Sequence, residues 1–335
     1  NYKIWQLAWP AILSNISVPM LGLVDAAILG HLSSAQFLAG VAIGASVLSF
    51  LYWGFGFLRM GTTGLIARAF GAKDRFLDQQ ILVQSLCLAL TLGIIVIVSR
   101  PLWSVLGLSL IAPNEELRSI AASYIDIRAF SAPAVLLNYA IVGWFIGRQN
   151  TRWPMYFVIA TNLLNIGLDF LLIIGLNLGS DGAALATLIA EYCGCGLALW
   201  ALSRHWVIYE RTALWQQISR LGDYRQLLLT NQYLFFRTIV LLASFAFFTA
   251  MSGRLGTEIL AGNTIMLNLL LLASYGLDGF AHAAEALCGH SLGAGDDQRF
   301  KLTVKLCALW TTGTAVIFSA IFAFASPVLF PLLSN

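Results

Sequence analysis

The chain has 335 residues, 59% of them hydrophobic and only 10% charged, against roughly 25% charged residues in an ordinary soluble domain. With a mean hydropathy of +0.80, this composition excludes a soluble globular domain and specifies a polytopic membrane protein. The net charge of +3 says little, but its distribution along the chain says more.

Apolar stretches recur at residues 4–31, 36–70, 80–99, 117–147, 153–176, 181–203, 227–254, 258–292 and 300–326, each as long as the roughly 20 residues that cross a bilayer. Nine transmembrane helices are predicted. The stretches are too long and too uniformly apolar for barrel strands of about 10 alternating residues, so the fold class is an all-α integral membrane protein. The first span carries Trp5, Trp9 and Pro10 and no small-residue cleavage site, so it does not read as a signal peptide. Cys87, Cys193, Cys195, Cys288 and Cys307 all fall within spans and are read as small apolar packing residues. Alternating spans place Lys3, Arg68, Lys73, Arg75, Arg148, Arg152, Arg204, Arg211, Arg220, Arg225, Arg299, Lys301 and Lys305 on one side. Only Arg100, Arg118 and Arg254 fall on the other. Cytoplasmic loops collect Lys and Arg, so the amino terminus is expected inside.

The first span holds Pro10, Pro19 and, within "VPMLGLVDAAILGHL", a carboxylate, Asp25. A charge at that depth costs roughly 2.5–3.5 kcal/mol on insertion scales and needs a compensating partner. The fifth span carries Asn165 and Asp169, four apart and so on one helix face; the sixth carries Thr187. Counting about 1.5 Å per residue from the outer ends of their spans places all four roughly 10–16 Å below the outer surface. One shared polar site follows, against the alternative that each group only bonds locally and holds helices together. A buried carboxylate pair with no Lys or Arg beside it needs a proton or a cation, and carboxylate, amide and hydroxyl oxygens also suit Na⁺. The residues do not choose between the ions. Each proline removes an internal hydrogen bond, giving either a static bend or a helix whose bend responds to the charge of Asp25.

Arg59 on the second span and Asp278 on the eighth lie at similar depth, and Glu285 follows Asp278 by seven residues on the same face. These three form a candidate inner gate, with an Arg59–Asp278 salt bridge across the cytoplasmic side; the alternative is a static pair inside one bundle. Glu191, Asp126, Arg128 and Arg237 are further intramembrane charges without assigned partners.

Six spans occupy 1–203, a basic Trp-bearing linker occupies 204–226, and three spans occupy 227–335. "RMGTTGLIARAFGAKD" (59–74) and "AHAAEALCGHSLGAGD" (281–296) share Leu65/Leu287, Gly71/Gly293, Ala72/Ala294 and Asp74/Asp296 at an offset of 222. The same offset superimposes the first span on the seventh, so the halves are expected to be parallel repeats about an axis along the membrane normal. A second unit of equal length would run to about residue 425, so three further helices are expected.

There is no GxxxxGK[ST] phosphate loop, GxSxG, HExxH or Asp-rich diphosphate motif, and His31, His205, His282 and His290 have no metal-ligand spacing. ATP-driven transport, an enzyme, a cofactor and nucleic-acid binding therefore find no support.

"GLVDAAILGHL" with Pro10, "RMGTTGLIARAFGAKD", "NLLNIGLDFLLIIGLNLGSDGAALATLIAEY" and "LDGFAHAAEALCGHSLGAGD" together resemble the multidrug and toxic compound extrusion transporters, within them the bacterial branch of DNA-damage-inducible protein F. The resemblance implies two six-helix lobes around a cavity that alternates between the two sides of the membrane. It also implies a cation site at Asp25, Asn165, Asp169 and Thr187, with Asp25 as the principal protonation site and Pro10 as the hinge of the first helix. The expected function is a monomeric, cation-coupled antiporter of the bacterial inner membrane, exporting amphipathic and cationic compounds and contacting membrane lipids. Proton coupling is favoured by the resemblance and Na⁺ is the alternative; a flippase of lipids or lipid-linked precursors is the rival transport class.

Overall fold

The computed structural model describes residues 1–30, 35–206 and 224–334, and among these every regular element is helical. In chain order they are α1 (Tyr2–Gly30), α2 (Ala35–Gly54), α3 (Phe57–Gly71), α4 (Arg75–Val98), α5 (Arg100–Ile111), α6 (Glu115–Ala129), α7 (Ala132–Gly147), α8 (Arg152–Asp169), α9 (Gly179–His205), α10 (Arg225–Leu255), α11 (Thr257–Gly293) and α12 (Asp297–Ser334). Among the described residues, seven helical segments are long and apolar enough to cross a membrane, or eight if α6 and α7 form one bent span. The expected nine also include α1, a 29-residue helix outside that set of eight. His31 and residues 207–223 of the expected linker lie outside the described residues.

Three of the expected spans depart from simple helices. The expected span 117–147 is α6 and α7 meeting at 52°, because Pro133 sits in the first turn of α7 and cannot donate a backbone hydrogen bond to the helix before it. The expected span 36–70 is interrupted at Phe55 and Gly56 between α2 and α3. The fifth span changes winding immediately after Asp169, where Phe170–Gly175 forms a π-helical turn closed by a Leu176 N–H to Leu171 C=O bond of 2.9 Å. Wide turns of this kind are found mostly as single insertions near functional sites.

The short block that repeats at an offset of 222 folds into the same turn twice. Ala72 N–H donates to Arg68 C=O and Ala294 N–H to His290 C=O, both at 2.9 Å; Asp74 N–H donates to Ala69 C=O and Asp296 N–H to Ser291 C=O, both at 3.0 Å. These bonds satisfy the last carbonyls of α3 and α11. The left-handed residue that such a turn requires is Lys73 (φ 57°) in one copy and Gly295 (φ 68°) in the other. Asp74 then caps α4 by accepting from Leu77 N–H at 3.0 Å, and Asp296 caps α12 by accepting from Arg299 N–H at 2.9 Å, the ordinary work of an Asp at this position.

The two copies also touch each other. A Cβ at Gly71 would collide with the His290 carbonyl, and a Cβ at Gly293 would collide with the Arg68 carbonyl. Residues 68 and 71 thus meet 290 and 293, their own counterparts 222 residues along, in a reciprocal contact like that of a two-fold interface. In lipid, where hydrophobic burial does not drive helices together, such small-residue contacts let backbones pack closely. Around this contact α3 packs between α7 and α11, while α1 packs between α8 and α11. Trp5 stands edge-on to Phe280 and Trp310, fastening α1 to α11 and α12.

Candidate cation site and central cavity

Asp25 on α1, Asn165 and Asp169 on α8 and Thr187 on α9 converge. The i, i+4 spacing puts Asn165 and Asp169 on one face, and both are only 1% exposed. In the orientation that satisfies its amide, Asn165 Nδ2 donates to Asp169 Oδ2 at 3.2 Å. Its Oδ1 accepts from the Thr187 hydroxyl at 3.1 Å and from the Thr187 backbone N–H at 3.0 Å. The Asp25 and Asp169 carboxyls lie within hydrogen-bonding reach of each other, and Asp25 Oδ1 is buried without a partner. Neither carboxyl makes a salt bridge among the described residues. Two carboxylates in contact repel unless a proton or cation lies between them. No group of three or more His, Cys, Asp and Glu side chains suited to a metal ion occurs among the described residues.

Pro10 is buried within α1, which continues as helix through both Pro10 and Pro19. Its neighbour along the helix, Asn15, donates to Tyr275 C=O of α11 at 3.4 Å, and Asn162 of α8 donates to Ser17 Oγ at 3.1 Å. α1 is therefore tied on both sides.

A cavity of about 560 Å³ lies between α1, α2, α3, α7, α8, α9 and α11, with Tyr52, Arg59, Tyr139, Glu191, Asp278 and His282 on its wall. The expected Arg59–Asp278 pair is corrected here: Arg59 Nη1 faces Glu285 Oε2 at 3.5 Å, and the Asp278 carboxylate is exposed to the cavity. Arg59 has its repeat counterpart at residue 281, with 278 and 285 one turn to either side. Helical side chains lean toward the amino terminus, so the longer Glu285 reaches back to that level and Asp278 reaches away from it.

Two of the intramembrane charges left unassigned by sequence form a buried pair: Arg128 Nη1 of α6 lies 2.7 Å from Glu191 Oε2 of α9. Around it, Tyr52 donates to Arg128 C=O at 3.2 Å, Ser131 closes on the same carbonyl at 2.8 Å, and the Tyr124 hydroxyl is within reach of the guanidinium. Asp126 pairs with Arg100 at 3.9 Å. Arg128 and Glu191 are 63 residues apart, and the only hint in the sequence is that each is a charge within a span.

The MatE family profile matches residues 10–171 and 234–335, most of the chain. The chain belongs to the MatE family. It is 39% identical over 333 residues to DNA damage-inducible protein F of Escherichia coli K12, covering 99% of this chain and 72% of that protein. It is 27% identical over 347 residues to a probable multidrug resistance protein NorM of Thermotoga maritima, covering 98% and 71%. A MOP superfamily transporter from Pyrococcus furiosus shares the fold with a TM-score of 0.88 at 21% identity, covering 99% of this chain and 73% of that one. MatE proteins are multi-pass membrane transporters of the multidrug and toxin extrusion class, so the resemblance drawn from four blocks of sequence holds.

Proposed function

We propose that this MatE chain is the greater part of a proton-coupled antiporter that exports amphipathic and cationic organic compounds across a bacterial inner membrane. Its amino terminus lies in the cytoplasm, residues 1–203 form one lobe, 204–226 the linker, and 227–335 part of the second lobe. A proton entering at Asp25, shared with Asp169 and held by Asn165 and Thr187, changes the bend of α1 at Pro10 and drives the bound compound outward. Arg59 and Glu285, with Asp278 nearby, stand at the inner gate.

One observation carries this function: the touching Asp25 and Asp169 carboxyls, with a buried unpartnered Asp25 oxygen in a helix that crosses from α8 to α11. The 222-residue repeat of the turn and its reciprocal Gly71/Gly293 contact support the two-lobe arrangement. Proton coupling is preferred to Na⁺ on the likeness of the chain to DNA damage-inducible protein F, to which it is 39% identical.

The test is efflux by the full-length protein in liposomes, with proton and Na⁺ gradients imposed separately. Efflux should follow the proton gradient, and Asp25→Asn should reduce it to background while membrane insertion persists. Efflux that follows only Na⁺, or that survives Asp25→Asn in full, overturns the assignment.

A further inference from the structure

We propose that Glu191 detects an organic cation in the central cavity and that Arg128 relays its arrival to Asp25 and Asp169. The relay rests on the coupling function proposed above and supplies what that function lacks, a physical link between the compound and the proton.

Glu191 belongs to two environments at once. Its carboxylate is on the wall of the 560 Å³ cavity, together with the aromatic rings of Tyr52 and Tyr139, a combination that suits an organic cation through charge and through the ring faces. The same carboxylate is the ion-pair partner of Arg128. That pair is close, at 2.7 Å, but engages only one guanidinium nitrogen, Nη1, and leaves Arg128 Nε without a hydrogen-bond partner. An ion pair held through one nitrogen can exchange one cation for another more readily than a bidentate one.

Arg128 also acts on the cation cluster: its guanidinium is within electrostatic reach of Asp25, and Tyr124 is within reach of both. The charged and titratable groups around the relay are thus Glu191 and Tyr192 from α9, Tyr124 from α6, Tyr52 from α2, Tyr139 from α7, Asp25 with Asp169 across the cluster, and Arg59 from α3 with Asp278 and His282 from α11 on the same cavity wall.

The consequence has a definite sign. When an organic cation draws Glu191 to itself, Arg128 loses its counter-charge and its positive field falls on Asp25 instead, favouring departure of the proton. When Asp25 and Asp169 take up a proton, Arg128 returns to Glu191 and the compound loses its anchor. Mutual exclusion of compound and proton is the requirement for antiport, and thermodynamic linkage makes the effect equal in both directions.

The experiment uses the full-length protein in detergent, weakly buffered at neutral pH with a pH-indicator dye, titrated with tetraphenylphosphonium. Binding to the wild type should release protons. Glu191→Gln should weaken binding at least tenfold and release none at matched occupancy. The double variant Arg128→Gln, Glu191→Gln removes both charges, leaves no lone buried ion and should also release none; it decides the matter if the single variant folds poorly. A merely structural role would lower yield without separating affinity from proton release. Wild-type affinity and release in either variant, or no tetraphenylphosphonium binding to the wild type, overturns the relay. Asp25→Asn separates the two proposals: it should release no protons at whatever occupancy is reached. Release that persists in Asp25→Asn overturns the coupling site itself.

Discussion

Gly71→Ala is expected to open the end of the molecule where α3 meets α11. An added Cβ would lie 2.8 Å from the His290 carbonyl carbon and 2.9 Å from its Cα, where carbon atoms ordinarily rest about 3.5–4.0 Å apart. The obstacle is backbone, which cannot rotate aside, so the helices must separate by roughly 1 Å, a gap that forfeits up to half of each contact's attraction. Overpacking of this kind costs about 1–3 kcal/mol, charged only to the conformation in which α3 and α11 touch. That conformation should lose population by roughly 5–150-fold relative to the separated one. Gly293→Ala should do the same, since its Cβ would lie 2.7 Å from the Arg68 carbonyl carbon, and the double variant should cost less than the sum because the first separation relieves the second. Spin labels at positions 75 and 297, at the starts of α4 and α12, report the separation as a distance distribution. An unchanged distribution in Gly71→Ala would refute the reasoning that this contact holds the end closed.

Other consequences are open to measurement. Asp74→Ala and Asp296→Ala should each lower thermal stability by about 0.5–2 kcal/mol and by similar amounts, because the two caps make the same bond at 3.0 and 2.9 Å; a large difference would break their equivalence. Lys73→Gly should stabilise by about 1 kcal/mol, since Lys73 holds the left-handed conformation that Gly295 adopts freely, and unfolding in a detergent series measures it. The exchange Arg59→Glu with Glu285→Arg should restore transport lost in each single variant. Exchange of Arg59 with Asp278 should not, and rescue there would contradict the observed pairing. Pro10→Ala returns the missing backbone donor to α1 and should reduce efflux while leaving insertion intact; full efflux would move the hinge elsewhere.

The sequence by itself determined the membrane, the helices and the candidate site. A run of apolar residues has no other stable arrangement in lipid than a helix, and an unpaired carboxylate such as Asp25 stands out because its cost there is high. Helical periodicity also made the company of Asn165, Asp169 and Thr187 legible, since depth is a simple count along each span. Four weak identities at an offset of 222 marked a turn whose hydrogen bonds repeat one for one, because Gly71, Ala72 and Asp74 each serve backbone geometry. What only the tertiary structure decided was rotation. Residue counts fix how deep a side chain lies, but not which way it faces around the helix axis, and that is set by packing against neighbours. Hence Arg59 meets Glu285 instead of Asp278, Arg128 finds Glu191 across 63 residues of chain, and α6 turns away from α7 at Pro133.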